Sequence, residues 1–255
     1  MRELTGAGEV ADACGDDDLV VWAAQGMRPG VRAWAYGDAV AVASPQASRR
    51  DRLAVRGPLH RVVPLVRHAL AEAGPSYRPF GDAPLIRELA DGIAGLRLSG
   101  GFSWMVTTTL TRPVPPDPVW PDPVWLDPDD DPEVTDLLKE ANPGSYAMPG
   151  IPRVRRWAGI RHPRGPLLTV AADAWPAPTV GLLAGVATAP QSRGQGLGER
   201  ICRFVAAALL AEHGRVALMV DDWNGPAIGV YERLGFARRL VAAAEVADPG
   251  PAQRP

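Results

Sequence analysis

Apolar positions in the second half of the chain alternate between a helical and a strand rhythm. Val134, Leu137, Leu138 and Ala141 fall on one helical face, with Asp131 placed to cap it and Pro132 at its first position. The run "NPG" at 142–144 stops that helix. "RVRRWAGIR", the turn "HPRGP" and "LLTVAADAW" then predict a β-hairpin, and 179–189, "TVGLLAGVATA", predicts a strand buried on both faces. Leu197, Ile201, Phe204, Val205, Ala208 and Leu209 line one side of a following helix that Gly214 closes. "RVALMV" reads as a second buried strand, "NGPAIGVYERLG" as a helix and "FARRLVAAAEV" as a last strand.

The first half repeats this order. A hairpin turning at Tyr36-Gly37-Asp38 precedes "RLAVRGP", a helix over 59–73, the segment "SYRPF", a helix near 83–90 and the strand "FSWMVTTTL". The first helices of the halves start at Leu59 and Glu199 and the second near Ala83 and Gly225, so the element order recurs at nearly one spacing. That recurrence predicts an internal duplication.

Between the halves lies "RPVPPDPVWPDPVWLDPDDDP", whose prolines remove ladder donors and favour extended chain. The expected division is a first half over 1–111, a Pro/Asp-rich linker over 112–132, a second domain over 124–246 and a disordered tail over 247–255. Within the linker, Trp120 and Trp125 close two Asp-Pro-Val-Trp repeats and are expected to pack onto a neighbouring domain, the alternative being peptide recognition.

Composition narrows the class. With 46% hydrophobic and 22% charged residues the chain reads as soluble and globular, and a formal net charge of −2 favours neither nucleic acid nor an acidic membrane. Cys14 and Cys202 form no disulfide framework or metal spacing, the N-terminus shows no signal-peptide core, and no run is long enough to span a bilayer. These features predict a cytoplasmic protein, monomer or homodimer, and the Arg-, Ala- and Pro-rich composition suggests a GC-rich bacterial genome. No His/Cys cluster has metal spacing and no Gly-x-Ser-x-Gly elbow occurs, so no metal cofactor is expected.

The chemistry concentrates in "SRGQGLGER". Gly194, Gly196 and Gly198 alternate just before an apolar-periodic helix, where one glycine would suffice for a tight turn. Several glycines there fit a phosphate resting on backbone N–H groups at a helix N-terminus. The loop lacks the Gly-Lys-Ser/Thr ending of a Walker loop and the spacing of a dinucleotide fingerprint. It does fit R/Q-x-x-G-x-G/A through Arg193, Gly196 and Gly198. A second signature, Asn224, Ala227, Tyr231, Gly235 and Phe236, follows after one more strand. On these two motifs residues 124–246 resemble the GNAT superfamily of acyl-CoA N-acyltransferases.

The resemblance implies an α/β (α+β) fold with a mixed central sheet flanked by helices, preceded here by a related, degenerate half whose loop is only "RGP", 56–58. It implies N-acetyl transfer from acetyl-CoA to a primary amine by direct attack in a ternary complex. The pyrophosphate would lie on Arg193, Gly194, Gln195, Gly196, Leu197 and Gly198. The pantetheine arm would lie along Val186, Ala187 and Thr188 between two splayed parallel strands, with Asn224 also holding it. Tyr231 would protonate the departing thiolate, and a strand N–H, that of Val186, would polarise the thioester carbonyl. Asn224 also reads as an N-cap and Tyr231 as a core residue. Many relatives carry a Glu on the strand before the loop as base, whereas this chain has "LLAGVATAP". Asp221 or Asp222 is left to act through water, each also readable as a solvated loop acid, and His162 is expected to face solvent. Alternatives are a longer acyl donor, a non-amine acceptor, or a non-catalytic acyl-CoA sensor.

Overall fold

A computed structural model describes residues 1–111 and 119–247. The start of the proline-rich stretch, 112–118, and nearly all of the expected tail, 248–255, lie outside the described residues. In chain order the elements begin with β1 (Arg2–Leu4), α1 (Ala7–Cys14), α2 (Asp18–Ala24), β2 (Arg32–Tyr36), β3 (Ala39–Ala47), β4 (Arg50–Arg56) and α3 (Leu59–Ala73). Next come β5 (Arg78–Asp82), α4 (Ala83–Gly92), β6 (Leu96–Thr107), β7 (Val124–Trp125), α5 (Asp131–Ala141), β8 (Val154–Arg161) and β9 (Leu167–Ala174). The chain closes with β10 (Gly181–Thr188), α6 (Leu197–His213), β11 (Val216–Val220), α7 (Gly225–Arg233) and β12 (Ala237–Val246). The helices and strands expected of the second half are all present. In the first half β1, α1 and α2 had no strong periodic signal.

The chain divides into two compact units, Met1–Phe102 with Arg239–Pro255, and Ser103–Arg238. The division falls inside β6 and near the start of β12, whereas the expected division lay in the proline-rich stretch. The physical reason is hydrogen bonding. Ser103 to Thr107 pair with Val220 to Val216 of β11, which ties the end of β6 into the second unit. Val241 to Ala243 pair with Asp82 to Phe80 of β5, which ties β12 into the first.

Within the first unit, β1 to β5 lie side by side with β12 beyond β5, every pair antiparallel except β4/β5. Within the second, β7 to β11 lie side by side with the end of β6 beyond β11, every pair antiparallel except β10/β11. Each unit therefore repeats one mixed topology, and in each the sixth strand comes from the distal stretch of chain. Topology thus agrees with the element order that pointed to a duplication.

Each core follows from its pattern. In the second unit the α6 stripe Leu197, Ile201, Cys202, Val205, Ala206 and Leu209 packs with Met105, Leu183, Leu218, Ile228 and Phe236. In the first, Val62, Leu65, Val66 and Ala69 of α3 pack with Ala41, Leu53, Val55, Ile86 and Leu89. Trp120 and Trp125 pack against the second core, Trp125 at 5.2 Å from the Phe204 ring and under the Arg156 guanidinium at 3.9 Å. The packing role expected of them holds, but on the core of their own unit rather than on a neighbouring domain.

Because β11 takes its antiparallel partner from upstream of the proline-rich stretch, a fragment of residues 118–255 lacks that partner. We expect it to be insoluble or to melt without a cooperative transition. A soluble fragment with a sigmoidal denaturant curve close to that of the full chain contradicts the strand exchange as a folding requirement.

Candidate active site

The site grows out of a local failure of sheet pairing. β10 and β11 are parallel partners only from Gly181↔Val216 to Leu183↔Leu218. Both strands run on, to Thr188 and Val220, without further pairing to each other. β10 is buried over Gly181–Leu183 and at Ala187, yet Ala184, Gly185, Val186 and Thr188 are half-exposed where the partner leaves. On its other side β10 keeps β9, with a bulge between Ala184 and Ala187. Gly185 sits in that bulge at φ +61°. A Cβ there would lie 2.5 Å from the Trp157 ring and 3.1 Å from Ala147, so only glycine fits in both conformation and space.

Beyond the bulge, Ala187 faces β9, where Thr169 Oγ1 donates to its carbonyl at 2.9 Å. Of the three expected edge residues, Ala187 is thus turned away from the opened side. The Val186 carbonyl accepts instead from Asn142 Nδ2 at 3.1 Å. The Thr188 carbonyl accepts from Arg193 Nε at 3.3 Å, and Arg193 Nη2 reaches Ala141 O at 3.2 Å.

The glycine loop connects β10 to α6. Gly194 and Gly196 adopt φ +76° and +77°, and a Cβ at either would meet nothing within 4 Å, so the loop presents bare backbone to an open side. Gln195 is exposed, Leu197 is buried as the first residue of the core stripe, and Gly198 lies in the first turn of α6 against Thr188. The first helical hydrogen bond is Arg200 N–H to Gly196 O, so the N–H groups of Leu197, Gly198 and Glu199 have no acceptor within the helix. A seventeen-residue helix, Leu197–His213, directs its dipole at that end.

Asn224 caps α7, its Oδ1 accepting from Ala227 N–H at 3.3 Å, which leaves its Nδ2 for another partner. Tyr231 is 6% exposed and its ring lies 6.0 Å from that of Phe236. Burial, followed by the neighbouring Cys202 thiol, pushes its phenol well above the usual tyrosine range, so it stays protonated throughout the physiological range. Asp222 Oδ1 is held by Ser103 Oγ at 2.5 Å and by Arg238 Nη2 at 3.0 Å, and Asp221 is exposed. His162 lies exposed in the hairpin turn, as expected. Among the described residues no three His, Cys, Asp or Glu side chains gather as a metal site, and no helix is long and apolar enough to cross a membrane.

Sequence reading passed over Asn142, taken only as a helix stop, and Asp173, hidden in the apolar run "LLTVAADAW". Asp173 is fully buried on β9 beside Arg156 at 3.2 Å, and burial raises its carboxyl despite Arg155 and Arg156. It pairs with Leu183, before the strands part, so it is placed away from the opening.

The first unit shows how much the opening matters. Its β4 and β5 pair from Arg52↔Arg78 to Ala54↔Phe80, the same span as β10 and β11. A Cβ at Gly81 of β5 would then lie 2.5 Å from the Val55 carbonyl, so these strands remain in contact where their counterparts part. Beyond them the buried Asp17 carboxylate binds Arg56 at 2.7 Å and Arg239 at 2.6 Å.

This arrangement is the fold of the GNAT superfamily acyltransferases. Residues 159–244 match the family model described as FR47-like protein. The chain is similar to a GCN5-related N-acetyltransferase from Kribbella flavida, at 19% identity and TM-score 0.55, covering 88% of this chain and 91% of that one. It is also similar to a GCN5-related N-acetyltransferase-like protein from Streptococcus suis, at 12% identity and TM-score 0.56 over 94% and 97% of the two chains. A GCN5-related N-acetyltransferase from Sphaerobacter thermophilus aligns at 18% identity and TM-score 0.51 over 82% and 81%. Comparison with curated proteins finds no match.

Replacing Gly185 with valine tests the bulge. The side chain must displace Trp157 from a positive-φ position, so we expect a loss of about 2–4 kcal/mol in denaturant unfolding. A wild-type midpoint contradicts the packing described.

Proposed function

We propose that the second unit transfers an acetyl group from acetyl-CoA to a primary amine by direct attack in a ternary complex. The observation that carries this reading is the parting of β10 and β11 next to a glycine loop where a side chain at Gly194 or Gly196 would meet only open space. A pyrophosphate fits the loop of Gly194, Gln195, Gly196, Leu197 and Gly198, where unpaired N–H groups and the α6 dipole favour negative charge. Arg193, held through Nε and Nη2, keeps Nη1 for a phosphate oxygen. The amide-rich pantetheine arm fits the edge that β11 has left, at Val186 and Thr188, by strand addition, with Asn224 Nδ2 as a further donor.

The reaction follows from these placements. The amine enters as the free base and attacks the thioester carbon, whose oxygen takes the Val186 N–H as charge develops. The tetrahedral adduct collapses, the C–S bond breaks, and the sulfur receives the Tyr231 proton. Burial keeps the Tyr231 phenol neutral and so available as a donor, while making the phenoxide costly, so its proton moves as the C–S bond breaks and is restored from solvent afterwards. The nitrogen proton leaves to water; Asp222 is tied to Arg238 and Ser103, whereas Asp221 is exposed.

Gly196→Asp tests the phosphate site. Aspartate tolerates positive φ better than most residues and meets no neighbour at this position, so the fold should survive. Its carboxylate would repel the pyrophosphate, and calorimetry should show acetyl-CoA affinity falling about 100-fold, as expected for a like charge at a phosphate. Unchanged affinity overturns the assignment.

Tyr231→Phe keeps the core packing and removes the proton. We expect kcat to fall about 10²–10⁴-fold with acetyl-CoA affinity unchanged. A wild-type rate under conditions where chemistry limits turnover leaves Tyr231 with packing alone. Cofactor binding without thiol release across an amine panel favours the sensor alternative.

A further inference from the structure

Two neighbouring anchors fasten the end of α5 to the open edge of β10. Arg193 reaches Ala141 O and Thr188 O, and the next residue along α5, Asn142, donates through Nδ2 to Val186 O at 3.1 Å. A carbonyl oxygen only accepts, so the amide nitrogen must face Val186 and Oδ1 must be the other arm. Past the bulge, Ala187 and Ala189 face β9, the latter donating its N–H to Leu168 O at 2.8 Å. The carbonyls of Val186 and Thr188 are taken by Asn142 and Arg193, so they point off β9 on the side that β11 has left. Asn142 is half-buried and its backbone N–H is spent on Leu138 O. The result is an oriented, uncharged acceptor at the opened edge, held before any ligand arrives.

We propose that Asn142 receives the acceptor amine: Oδ1 accepts one N–H of the incoming free base and turns the nitrogen lone pair toward the thioester carbon on the Val186 edge. The assignment rests on the acyl-transfer reading above. A primary amine has two N–H bonds and one lone pair. One N–H goes to Oδ1, the lone pair forms the new C–N bond, and the other N–H proton leaves to water as the C–S bond breaks and sulfur takes the Tyr231 proton. The carboxamide gains and loses nothing. It also lacks the charge that would hold an ammonium ion, which cannot attack, so it favours the reactive form of the substrate. Pinning by Val186 fixes the side chain in advance, so little freedom is lost when the amine binds.

The test uses the full chain, calorimetry with acetyl-CoA, and thiol release with benzylamine and n-butylamine as probes. Asn142→Ala removes one neutral hydrogen bond, so KM for the amines should rise about three- to tenfold while acetyl-CoA affinity stays within about twofold. Asn142→Asp places a carboxylate where an ammonium ion would be held, so the rise of kcat/KM with pH should move to higher pH. A purely structural role would leave that profile where it is. Unchanged KM in the alanine variant, or a wild-type pH profile in the aspartate variant, overturns the proposal. So does a parallel loss of acetyl-CoA affinity in the alanine variant, which would limit Asn142 to holding the strand. A wild-type chain that binds acetyl-CoA but acetylates neither probe also overturns it, while failure to bind acetyl-CoA overturns the reading on which it rests.

Discussion

A central strand that gives up its partner halfway along must leave backbone N–H and C=O groups unpaired, and each such group buried without a partner costs about 1–3 kcal/mol. The second unit accepts that cost between β10 and β11 and then limits it. β11 is anchored on its far side by five register partners in β6, from Val216↔Thr107 to Val220↔Ser103, so it does not drift. β10 is anchored by β9 and bent by the bulge at Gly185. Its orphaned carbonyls at Val186 and Thr188 are taken by the side chains of Asn142 and Arg193, which also fasten α5. The glycine loop, the α6 N-terminus and α7 all lie at the ends of these two strands, so the opening sets where everything else in the site sits.

The first unit is an internal control on this argument. It has the same strand order, the same parallel pair and the same paired span, yet Gly81 lets β5 approach the Val55 carbonyl and no glycine loop follows. Both units also pin their long helix to the sheet with an arginine stacked on tryptophan. Arg32 lies over Trp34 at 4.8 Å and pairs with Glu72 of α3, while Arg156 lies over Trp125 at 3.9 Å and pairs with Glu212 of α6. The two units thus share one strand order, and differ in the helices after their first strand, α1 and α2 against α5, as well as in what lies between the parallel strands.

The readable parts of this structure were those whose physics is local. Apolar period marked α3, α5 and α6, unbroken apolar runs marked β10 and β11, and glycine spacing marked the loop. What was hidden depended on contacts distant in sequence. The two short helices α1 and α2 are too brief to show a period, and α2 starts from an Asp17 cap whose carboxylate also binds Arg56 and Arg239. Asn142 looked like a helix stop because its other role depends on Val186, a residue of another element. The strand over Phe102–Leu110, directly upstream of the proline-rich stretch, reads as a partner for the second half's terminal strands and pairs with β11 over Ser103–Thr107, whereas the pairing of β12 with β5 shows only in the fold.

That exchange gives a physical reason for the second unit to include chain from upstream of the proline-rich stretch. In a lone copy of the second topology, the place beside β11 would have to be filled by the strand following α7. Here that strand pairs with β5, and β11 is completed by Ser103 to Thr107 from the far side of the proline-rich stretch. Cutting the chain within the proline-rich stretch would remove Ser103 to Thr107 and strip the partner from β11, the strand that must stay fixed while β10 bends away. Ser103 to Thr107, although upstream of the proline-rich stretch, thus belong to the second unit and hold β11 in place where β10 bends away.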